Sequence, residues 1–430
     1  MSCSEWKTVR LADLIEIKHG YAFKGKYFSE DETNLILLTP GNFKIGGGFQ
    51  SKKYKYYNNE GEIPEQYILK KDDLLVTMTD LSKNGDTLGF PLKVPNIDGK
   101  TLLHNQRLGK IIINSDLVDS NYLYYLMCSK EYRNEILSSA TGTTVKHTAP
   151  ERIVKFEFKL PPLEEQEKIA NILSSLDDKI ELNNEMNKTL EEMAQSIFKR
   201  WFVDFEFPNE DDQPYKSSGG EMVESERGMI PKGWEVKTIG DLCEVGSSKR
   251  IFMKEYVEEG IPFFRGKEVI QKSKGENIST ELFITKERYK EIKDKFGVPS
   301  KNDILLTSVG TLGIPYLVDD EEFYFKDGNL TWFKNFNEEI FRYYVYQWLL
   351  SSEGKKSIDE VTIGSTQKAL TINALKSMKL VIPSKNTLNK YQGFISSNIE
   401  NIRENNVQKF NLIDLRDSLL PKLMSGVLKL

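Results

Sequence analysis

Asn105-Gln106-Arg107 places two carboxamides and a guanidinium side by side between short apolar runs. In the major groove of a duplex, carboxamides pair with adenine and a guanidinium pairs with guanine, each through two hydrogen bonds. Asp327-Gly328-Asn329 stands at the matching place, 222 residues on when Arg107 is set against Asn329. Thr79, Asp80, Ser82, Lys83 and Asn84 follow one β-rich run, and Ser308, Gly310 and Thr311 follow another. Gly142-Thr143-Thr144 with Lys146, and Gly364-Ser365-Thr366-Gln367-Lys368, combine backbone amides, hydroxyls and one cation, the groups that hold phosphate. Ser248-Lys249-Arg250 and Phe263-Phe264-Arg265-Gly266-Lys267 add cations beside aromatic rings. Taken singly, each stretch also reads as a plain polar turn. What sets them apart is that they fall at equivalent positions in two halves of the chain.

Catalytic constellations are missing. His19, His104 and His147 stand in unrelated contexts without metal-ligand spacing. No Gly-x-Ser-x-Gly, His-Glu-x-x-His, Phe-x-Gly-x-Gly or Asn-Pro-Pro-aromatic stretch occurs. Gly20-Tyr21-Ala22-Phe23-Lys24-Gly25-Lys26 comes near a phosphate-binding loop, but Tyr27 replaces the hydroxyl residue that would hold magnesium, and no apolar strand precedes it. Asp204 and Glu206 sit at an acidic helix end and read as solvated surface, not as a nuclease pair. No metal site is expected.

The elements that must position the loops repeat. Trp6-Lys7-Thr8-Val9 with Leu11 and Asp13 recurs as Trp234-Glu235-Val236 with Ile239 and Asp241. Lys71-Asp72-Asp73-Leu74-Leu75-Val76-Thr77 recurs as Lys301-Asn302-Asp303-Ile304-Leu305-Leu306-Thr307. The early matches are offset by 228–230 residues and the later ones by 222, as a duplication with loop insertions and deletions leaves them. Each half opens with about 150 residues of short β-branched and aromatic runs, such as 35–38, 74–77 and 110–113, punctuated by Gly, Asn and Pro. Each closes with a long helix.

The first helix is predicted from the Pro161-Pro162 stop to about Phe205, with Glu164, Glu165 and Glu167 on its positive end. Leu173, Ile180, Asn187, Ala194 and Trp201 interleave with Ile169, Leu176, Asn183, Leu190 and Ile197 as an a/d seam. The second helix, about Thr387 to Leu420, offers Ile395, Ile399, Ile402, Asn406, Phe410, Ile413 and Leu420. Matching seams predict that the helices pair with each other, and Asn183, Asn187 and Asn406 would fix their register. A helix of about 43 residues is about 65 Å long, so an antiparallel pair would hold two readers apart along an extended ligand.

Composition agrees with a globular chain: 39% hydrophobic and 29% charged excludes disorder, and no apolar run reaches the roughly 18–20 residues a membrane helix needs. The first ten residues lack the apolar core of a signal peptide. Cys3, Cys128 and Cys243 are scattered, which suits a reducing cytoplasm. The net charge of −5 is uneven. Residues 160–232 hold 8 basic and 17 acidic side chains, whereas 1–159 hold 22 and 20 and 233–430 hold 29 and 27. The acidity is confined to the middle, which leaves the flanking domains free to meet a polyanion.

The whole plan resembles that of type I restriction-modification specificity subunits. Leu160-Pro161-Pro162-Leu163-Glu164-Glu165-Gln166-Glu167-Lys168-Ile169-Ala170 and Leu415-Arg416-Asp417-Ser418-Leu419-Leu420-Pro421-Lys422-Leu423-Met424-Ser425-Gly426 look like the conserved-region signatures of that family. Gly260-Ile261-Pro262-Phe263-Phe264-Arg265-Gly266-Lys267-Glu268 resembles one class of target recognition domain. The resemblance implies an α+β fold with two mixed α/β target recognition domains, 1–160 and 233–383. It implies conserved helical regions at 161–207 and 384–430, a linker at 208–232, and an antiparallel coiled coil with a pseudo-twofold repeat. It further implies a non-catalytic chain that binds an asymmetric, bipartite double-stranded DNA target and docks two modification subunits. A restriction subunit is an optional further partner. The chain itself would carry no cofactor: S-adenosylmethionine and ATP with magnesium would belong to the partners. One departure stands out, since Ser384-Lys385-Asn386-Thr387-Leu388-Asn389-Lys390 lacks the Glu-Glu-Gln of the first helical start, so docking there would use different contacts.

Two rival readings remain at this level: a DNA-free scaffold with two interaction domains on a coiled-coil spacer, and a stand-alone nuclease or methyltransferase.

Overall fold

The computed structural model describes residues 6–51, 54–364 and 368–430. Two compact units emerge, Met1–Glu181 with Asn411–Leu430, and Leu182–Phe410.

In the first unit the strands are β1 (Lys7–Arg10), β2 (Ile15–His19), β3 (Phe28–Ser29), β4 (Leu35–Leu38), β5 (Lys55–Tyr57), β6 (Leu74–Thr77), β7 (Thr79–Asp80), β8 (Pro91–Lys93), β9 (Thr101–His104) and β10 (Leu108–Ile113). Helices α1 (Ser120–Cys128) and α2 (Lys130–Ser138), strand β11 (Lys146–His147), helix α3 (Pro150–Ile153) and strand β12 (Glu157–Leu160) lead into α4 (Leu163–Phe198). One sheet has the order β2-β10-β6-β8 and a second β3-β5-β4-β9, in which β4 and β9 run parallel.

All four residues of β6 are buried because the strand faces a core on each side. Leu74 and Val76 pack with Tyr122, Leu126 and Ile136 of the helices. Leu75 packs with Ile36 and Leu102 of the second sheet. Such side chains each contribute roughly 1.5–3 kcal/mol on burial.

The second unit follows the same plan. After a hairpin of β13 (Met222–Ser225) and β14 (Gly228–Pro231) come β15 (Glu235–Thr238), β16 (Glu244–Gly246), β17 (Tyr256–Val257), β18 (Ile261–Phe264), α5 (Gly266–Ser273), β19 (Phe283–Ile284) and α6 (Lys286–Phe296). Then follow β20 (Ile304–Thr307), β21 (Pro315–Leu317), β22 (Tyr324–Phe325), β23 (Leu330–Lys334), α7 (Ile340–Leu350), α8 (Ser352–Val361), α9 (Ile372–Lys376), β24 (Lys379–Ile382) and α10 (Lys385–Met424). The orders β16-β23-β20-β21 and β17-β19-β18-β22 reproduce those of the first unit.

The repeat extends to register. Lys7 pairs with Leu160 as Glu235 pairs with Ile382. Asp72 and Asn302, at φ 66° and 68°, make the same left-handed turn into the central strand, a conformation that Asp and Asn tolerate better than most residues. A Cβ on Gly89 would meet Ile136, and one on Gly313 would meet Ile358, so both turns need glycine to lie against the helix. The units differ where α5 and α6 replace turns, which is where their surfaces diverge.

The long helices pair antiparallel in each unit, as the seam predicts. In the second unit, the Asn183 amide donates to Gln408 Oε1 at 2.9 Å, and Asn187 exchanges bonds with Asn406 and Asn405 at 3.0 and 2.9 Å. Ile395 and Ile399 are buried with Ala194 and Phe198. In the first unit, Ile169 and Leu173 are buried with Leu423, and Arg416 meets Asp177 at 2.7 Å while the Tyr125 hydroxyl donates to the same carboxylate. Ile180 is buried, whereas Leu176, Leu190, Ile402, Asn406 and Ile413 are half-buried, as the rim of a two-helix seam must be.

Two helix ends differ from expectation. The first helix leaves regular geometry at Phe198 and passes through a π-turn at Lys199–Val203, and Phe205 then takes φ 60°. The wide turn admits Phe202 to an aromatic cluster with Tyr344 and Tyr391. The second helix runs past Pro421 to Met424. Proline removes one N–H near the end, but Leu423 and Met424 gain burial, and Gly426 at φ 70° stops the helix against Trp6. Segment 208–232, expected as a linker, carries the β13–β14 hairpin, beside a stack of Tyr215, Phe207 and Trp234.

Candidate nucleic-acid interface

Three loops far apart in sequence share one edge of the first unit. Strand β11 pairs with β7, joining Lys146 to Asp80 and His147 to Thr79, and His147 also bridges Thr141. The Met78 N–H donates to the Arg107 carbonyl at 3.0 Å, and Thr148 N–H donates to the Met78 carbonyl at 3.0 Å. Loops 79–87, 105–107 and 141–148 are thereby hydrogen-bonded into one surface.

The second unit assembles the equivalent loops. Ala369 bridges Val309 and Ile363. Leu370 N–H donates to the Ser308 carbonyl, and Ser308 N–H donates to the Asn329 carbonyl at 2.8 Å. Segment 247–250 joins them: Ser248 donates to the Phe325 carbonyl at 2.8 Å, and Arg250 meets Asp327 at 2.7 Å. Together they line a pocket in which Ser247, Ser248, Ser308, Asp327 and Thr331 stand beside the apolar Leu330, Leu370 and Ile372.

Within these surfaces Lys83, Asn84, Gln106, Arg107, Thr143, Thr144, Lys249, Arg250, Thr311 and Lys368 are exposed, as is Lys267 at the start of α5. Ser82, Asn105, Lys146 and Asn329 are half-buried. Asn105 spends its Oδ1 on the Arg107 N–H, forming the turn that presents Arg107. Ser365, Thr366 and Gln367 lie outside the described residues.

Three expected contacts have other work. Arg265 lies flat on Glu268, with Nη2 to Oε1 at 2.7 Å, and its own N–H caps the same carboxylate at 2.8 Å. Glu268 is fully buried, so the guanidinium is committed to neutralising it. Hydrogen bonding to Glu268 raises the Arg265 pKa further. The Ser308 hydroxyl is buried against Thr331 Oγ1 at 2.7 Å. Thr79 is buried and its hydroxyl meets His147 Nδ1 at 3.2 Å. Thr79 and Ser308 hold the surface rather than present themselves on it.

Loop 80–87 is built around one carboxylate. Asp80 accepts the Ser82 N–H at 2.6 Å and both the N–H and hydroxyl of Thr87. Burial pushes its pKa up, but these bonds outweigh burial and hold it below the ordinary value. Arg133 of α2 reaches over Phe90 and donates to the Gly85 carbonyl. Asp80→Ala would orphan the Ser82 and Thr87 amides, at a cost of about 1–3 kcal/mol. Hydrogen exchange at residues 82–87 should then speed up by roughly 5- to 100-fold while β10 stays protected; unchanged exchange would mean that the carboxylate does not organise the loop.

His104 lies under the 105–107 turn, 2% exposed, with Nε2 2.9 Å from the Leu108 carbonyl. Burial lowers its pKa to about 4. Its unfolded value is near 6.5, so the unfolded chain binds the extra proton first. The stability that His104 preserves is intact above about pH 6.5 and is lost as pH falls toward 4, by up to about 3 kcal/mol. Thermal melts at pH 7 and pH 4.5 should show a roughly 6–12 °C drop in the first unit's transition that His104→Gln reduces; equal drops in both proteins would refute the assignment.

The segment resembling a phosphate loop leads through extended Lys24 into a single 3-10 turn at Gly25–Tyr27. Tyr21 bridges Asn105, and a Cβ on Gly20 would strike the Asn105 carbonyl. Gly20 is there to let two backbones touch. Asp204 pairs with Lys199 at 2.7 Å, and Glu206 accepts from Ser217. Among the described residues, no cluster of three or more His, Cys, Asp or Glu could hold a metal, and no helix is long and apolar enough to cross a membrane.

Gln166, the third residue of Glu164-Glu165-Gln166, is fully buried: it accepts the Asp119 N–H and donates to the Leu117 and Pro161 carbonyls. The corresponding place in α10 is held by buried Leu388. The Gln/Leu difference between the two helix starts is therefore one of internal packing. Sequence reading missed His147 and Arg133. His147 adjoins the flagged Lys146, whereas nothing local in α2 announces that Arg133 reaches Gly85.

The family model for the type I restriction modification DNA specificity domain matches the chain twice, at residues 3–192 and 231–411. The chain is similar to the type I restriction enzyme MjaIX specificity subunit of Methanocaldococcus jannaschii, at 32% identity over 74% of this chain and 71% of that one. It is also similar to the HindI specificity subunit of Haemophilus influenzae, at 25% identity over 80% and 86%. In fold it resembles the crystal structure of a type I restriction-modification system S subunit from M. genitalium, with a TM-score of 0.56, 17% identity and coverage of 97% and 96%.

Proposed function

The chain belongs to the type I restriction-modification DNA specificity family, and on that footing we propose that each of its units reads one half of a split, asymmetric duplex DNA target. One observation carries the reading: the same loops meet at the same end of the two central strands in both units, through bridges at His147 and Ala369, yet present different side chains. A shared frame with different groups on it suits two half-sites of different sequence.

Arg107, Gln106, Lys83, Asn84, Thr143, Thr144 and Lys146 would serve the first half-site. Lys249, Arg250, Lys267, Thr311, Asn329 and Lys368 would serve the second. The chain performs no chemistry in this reading. Two modification subunits dock on the paired helices and supply the S-adenosylmethionine site, ATP and magnesium belong to a restriction subunit where one joins, and the assembly works in the cytoplasm. Helix length sets the gap between half-sites.

Methylation mapping of the host genome with and without this gene tests the proposal directly. A two-part motif with unlike halves should lose its methylation when the gene is removed. An unchanged methylome, together with a subunit complex that retains no duplex at modest salt, would favour the DNA-free scaffold instead.

A further inference from the structure

The loop 141–148 carries a side chain that the reading above does not use. His147 is exposed, yet its position is tightly set. Its backbone exchanges two hydrogen bonds with Thr141, at 2.9 and 2.8 Å, and pairs with Thr79 on the other side. Gly142, at φ 91°, closes the turn, and a Cβ there would overlap the Val145 carbonyl. The Thr79 hydroxyl then pins the ring through Nδ1 at 3.2 Å. With that hydroxyl donating, the ring proton sits on Nε2, for which no partner is recorded among the described residues. Lys146 precedes it, and exposed Thr143 and Thr144 share its loop. The contact satisfies the buried Thr79 hydroxyl, and it also leaves an exposed imidazole ordered before any ligand arrives, which favours a ligand contact.

We propose that His147 is a DNA-contacting residue of the first unit, donating from Nε2 to an acceptor on the duplex, with Thr79 as its positioning residue. The acceptor is a purine N7, a guanine O6 or a phosphate oxygen. The inference rests on the DNA-reading role proposed above. It also goes beyond it, because the equivalent position in the second unit is Ala369, which has no donor. The effect of His147 should therefore be confined to one half-site.

The test uses the complex of this chain with its modification subunits and a randomised 40-base-pair duplex library, with sequencing of what is retained. The intact complex should enrich a split motif. His147→Ala should weaken binding roughly 3- to 10-fold, as for one lost hydrogen bond. A base contact would relax one position of one half-site and leave the other half unchanged. A phosphate contact would weaken all sequences alike and leave the motif intact. Thr79→Val should reproduce part of the loss, and Thr79→Ser should restore it. An unchanged motif with unchanged affinity in His147→Ala would overturn the assignment while leaving the DNA-reading role standing. If the intact complex enriches nothing, both fall together.

Discussion

Ile395→Asp should unfold the second unit or bring it close to unfolding. Ile395 is fully buried on α10, in a core shared with Ala194 and Phe198 of α4 and Tyr391 of its own helix. A carboxylate there would sit among apolar and aromatic side chains, and burying an unpaired charge costs several kcal/mol, about 4 or more after local relaxation. Whole domains are stable by only about 5–15 kcal/mol, so the loss is a large share of the total. Calorimetry should show the second unit's transition falling by about 10 °C or more. Ile395→Val, which removes one methylene, should cost about 1 kcal/mol and leave the protein folded. Ile180, in the first unit, is less deeply buried at 9% exposure, and Ile180→Asp should cost less than Ile395→Asp. Equal melting of Ile395→Asp and wild type would show that the seam is not packed as described.

Arg107→Ala should instead leave stability and subunit assembly alone and damage recognition of one half-site. The side chain is exposed at the tip of the turn closed by Asn105, with no ion pair among the described residues. A guanidinium on a guanine edge is worth about 1–3 kcal/mol, so methylation of the target should fall by roughly 10- to 100-fold while mismatches in the other half-site remain as costly as before. Arg107→Lys separates two kinds of contact. Lysine can replace arginine at a phosphate, but it cannot make the same planar pair of hydrogen bonds to a base. Loss of assembly in Arg107→Ala would identify the residue as structural.

Both substitutions probe features that were legible in the residues, for different reasons. The seam was legible because an a/d pattern repeated over 33 residues leaves few alternatives, and asparagines within it needed polar partners, which Asn187 finds in Asn405 and Asn406 and Asn183 in Gln408. The turn at 105–107 was legible because polar residues between two apolar runs have nowhere else to go. Helix ends were read less well. Where α10 stops depends on what Leu423 and Met424 can be buried against, and that surface is made by residues near the other end of the chain.

Side-chain roles within the loops were the least legible. Arg265 was flagged as a cation beside aromatics, yet it clasps Glu268 three residues away. The Arg-x-x-Glu spacing at a helix start was a usable sign of that. No such sign existed for Thr79 and His147, 68 residues apart, or for Arg133 and Gly85, 48 apart.

The sequence alone determined the duplication, the α+β class and the two seams, and it marked the stretches from which the proposed interface is drawn. Each of these follows from periodicity or from repetition, which are properties of neighbours along the chain. The tertiary structure decided which of the flagged groups face outward and which are already engaged. Exposure and hydrogen-bond partnership depend on what strands from elsewhere bring alongside. Thr79 and Ser308 were thereby withdrawn from the surface and His147 was set upon it.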